Sequence, residues 1–245
     1  MNNDAARAQR QWWDSDAERY HAEHGPYLSS FYWSPEMIHE ADARLLGDVS
    51  HKSVLELGCG SAPCSSWLAA GRAGFVTGFD ISAAMLARAD GSLPLAQADV
   101  QALPYRDGAF DVVFSAFGGL PFVPDVEAVF RDIARVLADA GRLVFSVNHP
   151  MRWIFPDDPG AAGLVAAIPY FEDHYAEYGE DGTLTYIEYH RTIGDWVRAL
   201  VAAGFRVLDI IEPEWPEQLT EPWGQWSPLR GRIFPGTAIF VAELN

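Results

Sequence analysis

Apolar positions along this chain fall into short dense runs set between longer stretches of helical spacing. SVLEL at 53–57, FDVVFS at 110–115 and GRLVFSV at 141–147 predict buried strands, as do the runs at 74–79, 93–98, 205–211 and 237–242. Between them, helical patterns cover 62–70, 82–89, 125–137 and 193–203, with Ser82 placed to cap the second. Short apolar runs separated by helices predict an α/β fold: a Rossmann-like, seven-stranded, mostly parallel sheet with helices on both faces.

Residues 4–24 precede this rhythm as a helix with Trp12, Trp13, Ala17 and Tyr20 near one face, stopped by Gly25-Pro26. Ser34-Pro35-Glu36 predicts a second helix to about Leu46, with Ser34 as its N-cap and Pro35 at its first position. The rhythm fails twice. Residues 148–191 are rich in Pro, Gly, Asp and Tyr, and only 183–189 reads as extended. A long loop between the last two strands carries three of the nine tryptophans, a load that argues for order and function.

The length of 245 residues and 49% hydrophobic content suit one globular domain over 1–245. No run reaches the ~18 apolar residues of a membrane span. The opening MNNDAARAQRQWWD has no apolar signal region, so a cytoplasmic location is expected. A net charge of −17 with no basic run repels phosphate backbones and anionic lipid, leaving a small molecule as the expected partner, with no nucleic acid and no membrane. The acidity is equally compatible with serving solubility alone. Cys59 and Cys64 read as packing residues, Asp157-Asp158 as a solvated turn, and no metal site is expected. Nothing in the pattern fixes an oligomeric state.

A parallel sheet binds ligands at the carboxyl ends of its strands. Gly58 and Gly60 follow the first strand, Asp80 ends the second and Asp99 follows the third. Twenty residues separate Gly60 from Asp80, the offset at which a carboxylate meets ribose hydroxyls. A dinucleotide turn would carry a third glycine at position 63, where Pro63 stands and opens the next helix instead. Glu56, two residues before Gly58, would repel pyrophosphate but would help orient a ligand bearing an ammonium and a sulfonium.

With VLELGCGSAPC, GFDIS, QADVQALPYRDGAFDVVFSAF and RVLADAGRLVFSV, the chain resembles the class I S-adenosylmethionine-dependent methyltransferases of small-molecule type over 53–147. GDWVRALVAAGFRVLDI continues the resemblance. The resemblance implies S-adenosylmethionine as cofactor. Gly58 and Gly60 would line its methionine portion, Asp80 its ribose and Ile81 its adenine. Asp99 would accept from the adenine amino group, with Val100 lending its backbone N–H. Ser115 and Phe117 would meet the methionine end. Tyr20 and Trp33 lie where the family's N-terminal helices close over the cofactor carboxylate. The implied organisation is a helical cap at 1–50, a cofactor-binding core at 51–147, a lid insertion at 148–191 and, at 192–245, the rest of the core with its aromatic-rich loop.

Methyl transfer from a sulfonium is an in-line displacement in a water-poor pocket, and a base is needed only when the acceptor must lose a proton. His149 and His190, expected near the upper rim of the sheet, are the candidate bases, with structural roles as the alternative. His174 is less well placed. Arg152 and Arg191 either bind an acidic substrate or pair with the many carboxylates, pairing being the simpler reading. The expected activity is methyl transfer to a small molecule. One rival is an NAD(P)-dependent oxidoreductase, opposed by Pro63 and by Lys52 being the only lysine. The other is an S-adenosylmethionine-binding protein without turnover.

Overall fold

The computed structural model describes residues 2–71 and 73–245. Its strands are β1 (Ser53–Leu57), β2 (Phe75–Asp80), β3 (Leu95–Gln97), β4 (Phe110–Ser115), β5 (Leu137–Asn148), β6 (His174–Tyr178), β7 (Leu184–Tyr189), β8 (Phe205–Ile211) and β9 (Thr237–Leu244). Its helices are α1 (Asn2–Glu23), α2 (Glu40–Ala43), α3 (Pro63–Ala70), α4 (Ala83–Leu86), α5 (Val126–Val136), α6 (Ile193–Ala202) and α7 (Pro228–Gly231). Seven strands form one sheet in the order β3-β2-β1-β4-β5-β9-β8, and β6 and β7 form a separate hairpin. Among the described residues, the large sheet has β9 running antiparallel to its other six strands.

Successive side chains of a strand leave opposite faces, and the two faces sort accordingly. Val54, Val112, Phe114 and Val144 pack beneath α3 with Phe31, Trp33 and Leu46. Leu55, Leu57, Val113 and Phe145 pack against α5 and α6 through Phe130, Ile133, Trp196 and Leu200. Burial on both faces explains why these strands read as unbroken apolar runs. The caps are local: Ser82 Oγ accepts from Met85 N at 3.1 Å, and Thr192 and Asp195 cap α6 reciprocally.

Two expectations need correction. The helix predicted from Ser34 is a tight loop followed by the single turn α2, with Met37 at φ 58°. Buried Glu40 accounts for the difference. Its carboxylate accepts from Trp33 Nε1 (2.8 Å) and from the backbone nitrogens of Leu45 (3.0 Å) and Leu46 (2.9 Å), which folds the chain back on itself. Buried Glu36 likewise accepts from Thr237 Oγ1 at 2.8 Å. Side-chain acceptors here outcompete the helical ladder. Residues 148–191 hold two strands where one was expected, because β6 presents HYAEY, a largely exposed strand with no buried face to betray it.

α1 lies across the carboxyl ends of the sheet. Gln9 Nε2 donates to Ile187 O, and Trp12 packs on Tyr186 with ring centroids 5.4 Å apart, which fixes one side to β7. On the other side, Asp14 accepts from Ser82 Oγ (2.6 Å) and Ala84 N (3.0 Å) at the start of α4. Among the described residues, no helix is long and apolar enough to cross a membrane.

Candidate functional site

Strand order reverses between β1 and β4, and the loops after these strands diverge to leave a cleft. Roofed by α1, it forms a cavity of about 1020 Å³, mouth included. Its floor is the turn Gly58-Cys59-Gly60, with both glycines left-handed at φ 65° and 55°. A Cβ on Gly58 would stand 2.7 Å from Gly119 N, and one on Gly118 would stand 2.6 Å from Leu57 O. The turns after β1 and β4 therefore lean directly on each other.

Asp80 is almost fully buried at the end of β2. Its Oδ2 accepts from Gly60 N and its Oδ1 from Ser82 N, each at 2.8 Å, so the carboxylate is oriented before any ligand arrives. Burial raises its pKa against the lowering effect of these hydrogen bonds. Glu56, 2% exposed, accepts from Ser65 N (3.1 Å) and from Ser65 Oγ in the first turn of α3. Burial pushes its pKa up to about 8, with the Ser65 bonds opposing. Asp99 accepts from Gln101 N at 2.9 Å.

Nine of the predicted cofactor residues line this one cavity: Tyr20, Glu56, Gly58, Gly60, Asp80, Ile81, Asp99, Val100 and Phe117. Trp33 and Ser115 do not; both are fully buried behind the wall. Ser115 Oγ donates to Leu57 O at 2.9 Å. The Trp33 carbonyl accepts from Ser146 Oγ (2.6 Å), which in turn accepts from Phe117 N (2.8 Å). Phe117, at φ 56°, turns its ring toward Trp226 with centroids 5.5 Å apart.

His149 and His190 lie elsewhere. They line a second, smaller pocket that shares the 120–123 segment with the first, with Pro121 on one side and Phe122 on the other. Both ring nitrogens of His149 are engaged: Nδ1 accepts from Met151 N (3.0 Å) and Nε2 donates to Glu212 (2.7 Å). Burial lowers its pKa. His190 stacks on Trp153 at 4.8 Å, and burial drives its pKa down to about 4. His174 is exposed and bonded to Asp173 at 2.7 Å.

The cavity also holds residues that the sequence reading left out of the site. Gln9, Trp13 and His21 come from α1, and Tyr27 and Phe122 from the loops beside it. His21 Nδ1 donates to Ala17 O at 2.8 Å, which leaves Nε2 as an acceptor, buried and without a protein partner. Gln9 Oε1 and Tyr27 Oη are in the same condition. The pair Gly118-Gly119 just past β4 was the unused signal for a close backbone approach. For the α1 residues the only signal was the aromatic face already noted.

A methyltransferase-domain family model matches residues 55–145, the strands and turns that build the cavity floor. A demethylmenaquinone methyltransferase of Lactococcus lactis is 35% identical over 116 residues, 43% of this chain and 46% of that protein. A ubiquinone biosynthesis O-methyltransferase of Xanthomonas oryzae is 30% identical over 184 residues, 71% of each chain. The chain thus spans about half the length of relatives such as the Lactococcus protein. Among solved structures, an S-adenosylmethionine-dependent methyltransferase of Mesorhizobium loti superposes with a TM-score of 0.66 at 26% identity, covering 83% of this chain and 95% of that one. With the sheet order, the acid-flanked glycine turn and a relative matched over most of its length, this chain belongs to the class I S-adenosylmethionine-dependent methyltransferases.

Proposed function

We propose that the protein transfers a methyl group from S-adenosylmethionine to a small aromatic acceptor, by in-line displacement within the closed cavity under α1. The observation that carries this reading is Asp80, pre-oriented by Gly60 and Ser82 with a further lone pair on each oxygen for ribose hydroxyls. The cavity fits such a ligand in other respects: Gln9 Oε1, His21 Nε2 and Tyr27 Oη are buried polar atoms that the protein itself does not satisfy. Gly58 and Gly60 would hold the methionine portion, Ile81 and Val100 the adenine plane, and Asp99 the adenine amino group. Glu56 and Tyr20 would face the ammonium and carboxylate ends. Trp33 and Ser115 would act from behind, holding the turns that carry Phe117 and Gly58.

When bound, the cofactor supplies an electrophilic methyl group on a sulfonium. The rest is positioning, worth up to roughly 7–11 kcal/mol in favourable intramolecular systems. Trp13, Tyr20, Phe117 and Phe122 line the space for an acceptor and exclude water. One relative is named as a demethylmenaquinone methyltransferase and another as an O-methyltransferase of ubiquinone biosynthesis, and a flat aromatic acceptor suits these rings. An acceptor hydroxyl must lose its proton. We assign that proton to His21 Nε2, since His149 and His190 line the neighbouring pocket and His149 has no free ring nitrogen.

The test is calorimetric titration with S-adenosylhomocysteine, followed by turnover of S-adenosylmethionine on quinone-type phenols. Asp80→Asn should weaken cofactor binding about 10- to 100-fold, as expected for loss of charge-assisted bonds worth roughly 1.5–3 kcal/mol. His21→Ala should lower turnover on phenolic acceptors about 100-fold or more, a larger loss than any weakening of cofactor binding seen in the same titration. Native protein that gives no heat with the cofactor at any concentration would refute the reading.

A further inference from the structure

The second pocket, about 300 Å³ with its mouth, lies between the end of β5, the end of β7 and the start of α6. Its chemistry runs against the composition of the chain. In a protein with 34 acidic and 17 basic residues, it gathers two arginines, Arg152 and Arg191, neither of which has a close carboxylate pair among the described residues. Arg152 is 8% exposed, and its one ion pair among the described residues is a loose 3.6 Å contact with Asp157, which is itself mostly in solvent. Arg191 makes no ion pair among the described residues. Its Nη2 donates to the carbonyls of Val123 and Pro124, and its guanidinium rests over the rings of Tyr189 and Trp196 at 5.7 and 5.3 Å.

Five buried polar atoms of pocket-lining residues meet no protein partner: Arg152 Nε, Arg191 Nη1, Trp153 Nε1, His190 Nε2 and Asn148 Oδ1. Three of them can only donate. The carboxylate in the lining, Glu188, is already committed, accepting from Asn148 Nδ2 (2.9 Å) and Tyr186 Oη (3.3 Å). Glu212 is likewise taken up by His149. Buried charges in proteins are normally paired and buried donors normally bonded, so the three unpaired donors around this hollow, two of them on guanidiniums, call for an anionic acceptor. We propose that this pocket is a binding site for a small oxyanion, a carboxylate or phosphate group held by Arg152, Arg191 and the Trp153 indole. The electrostatics agree: burial lowers Arg191 to about 10, and His190 is depressed by burial first and by both guanidiniums besides, against its bond to the Tyr170 backbone and Asp195.

The site has a structural route to the methyl-transfer cavity. Arg191 grips the carbonyls of Val123 and Pro124, and Val123 and Phe122 line that cavity from the other side. The inference does not depend on the cofactor reading, which calorimetry with S-adenosylhomocysteine tests separately.

Acetate, benzoate and inorganic phosphate should be titrated into the full chain, with and without S-adenosylhomocysteine, reading melting temperature and the imidazole NMR signals of His190. We expect at least one anion to bind in the millimolar range or better and to shift the His190 pKa upward, since it offsets the two guanidiniums. Arg152→Gln and Arg191→Gln should each weaken binding tenfold or more, while Arg191→Lys should retain part of it. Benzoate binding more tightly than acetate and phosphate would identify the anion as the acidic group of an aromatic acceptor; the reverse order would identify a free anion. Because His190 is read in the native protein, the outcome survives any folding defect of the variants. The proposal is overturned if no anion moves the His190 signals, or if the shifts persist unchanged in both glutamine variants.

Discussion

A Cβ built on Gly58 would meet the backbone of Gly119 at 2.7 Å, whereas one built on Gly60 meets nothing within 4 Å, although both residues are left-handed. The two positions should therefore respond differently to alanine. Gly60→Ala should lose about 1–2 kcal/mol, the conformational penalty alone. Gly58→Ala should lose about 3 kcal/mol or more, because two turns must separate as well. Equal losses in urea unfolding would mean that the turns do not support each other. Glu56 gives a prediction with a definite sign. Burial holds its pKa near 8, above the ordinary 4.5, so the folded state keeps a proton that the unfolded chain releases between those values. Its contribution is most favourable below about pH 4.5 and is lost as pH rises toward 8. Melting temperature should accordingly fall more steeply across that window in the native protein than in Glu56→Gln. The glycines and acids at the strand ends were legible in the sequence because each sits beside an apolar run. The reason for Gly58 was not: its neighbour is Gly119, about sixty residues on in the chain, and only the fold brings them together.

α1 is a 22-residue helix that buries little apart from Ala5, Ala8, Gln9 and Ala17, so its hold on the sheet comes from a few named contacts. Asp14 is the principal polar one on the cofactor side, joining the helix to Ser82 and Ala84 directly beneath Asp80. Asp14→Ala should raise the cofactor dissociation rate roughly tenfold, the equivalent of about 1.4 kcal/mol, while moving the melting temperature little. Stopped-flow displacement of S-adenosylhomocysteine measures it, and an unchanged rate would show that the roof is held by its aromatic contacts alone. At this scale the sequence reading succeeded wherever burial imposed a pattern. The central strands of the large sheet, buried on both faces, and α5 and α6, each with one apolar stripe, were legible. It failed where a polar atom set the geometry. Glu40 bends the chain through three hydrogen bonds and cuts the expected helix to four residues, and no periodicity reveals an acid that will be buried. β6 escaped notice for the complementary reason, since an exposed strand has nothing to alternate with.

The whole molecule carries a net charge of −17, and two of the acids counted in it, Asp80 and Asp99, stand at the cavity walls. What is legible at this scale is the field, since charge sums without reference to fold; where it converges is not. The basic pocket between β5, β7 and α6 is assembled from residues about forty apart in the chain and is invisible to any count. The field has a consequence for the two forms of the proposed cofactor. S-adenosylmethionine bears a sulfonium and an ammonium against one carboxylate, a net charge of +1. S-adenosylhomocysteine has lost the sulfonium charge and is neutral overall. An acidic protein should draw in the first and be indifferent to the second, so substrate capture and product release are both favoured by the same surface. Salt separates this long-range attraction from contacts within the cavity, because the Debye length falls from ~30 Å at 0.01 M to ~3 Å at 1 M ionic strength. Raising ionic strength across that range should slow association of S-adenosylmethionine several-fold and leave that of S-adenosylhomocysteine nearly constant, with both dissociation rates changing far less. Stopped-flow association kinetics decide the matter. Parallel salt dependence for the two ligands would assign the acidity to solubility alone, and the difference between them would then have to arise from Glu56 and its neighbours at contact distance.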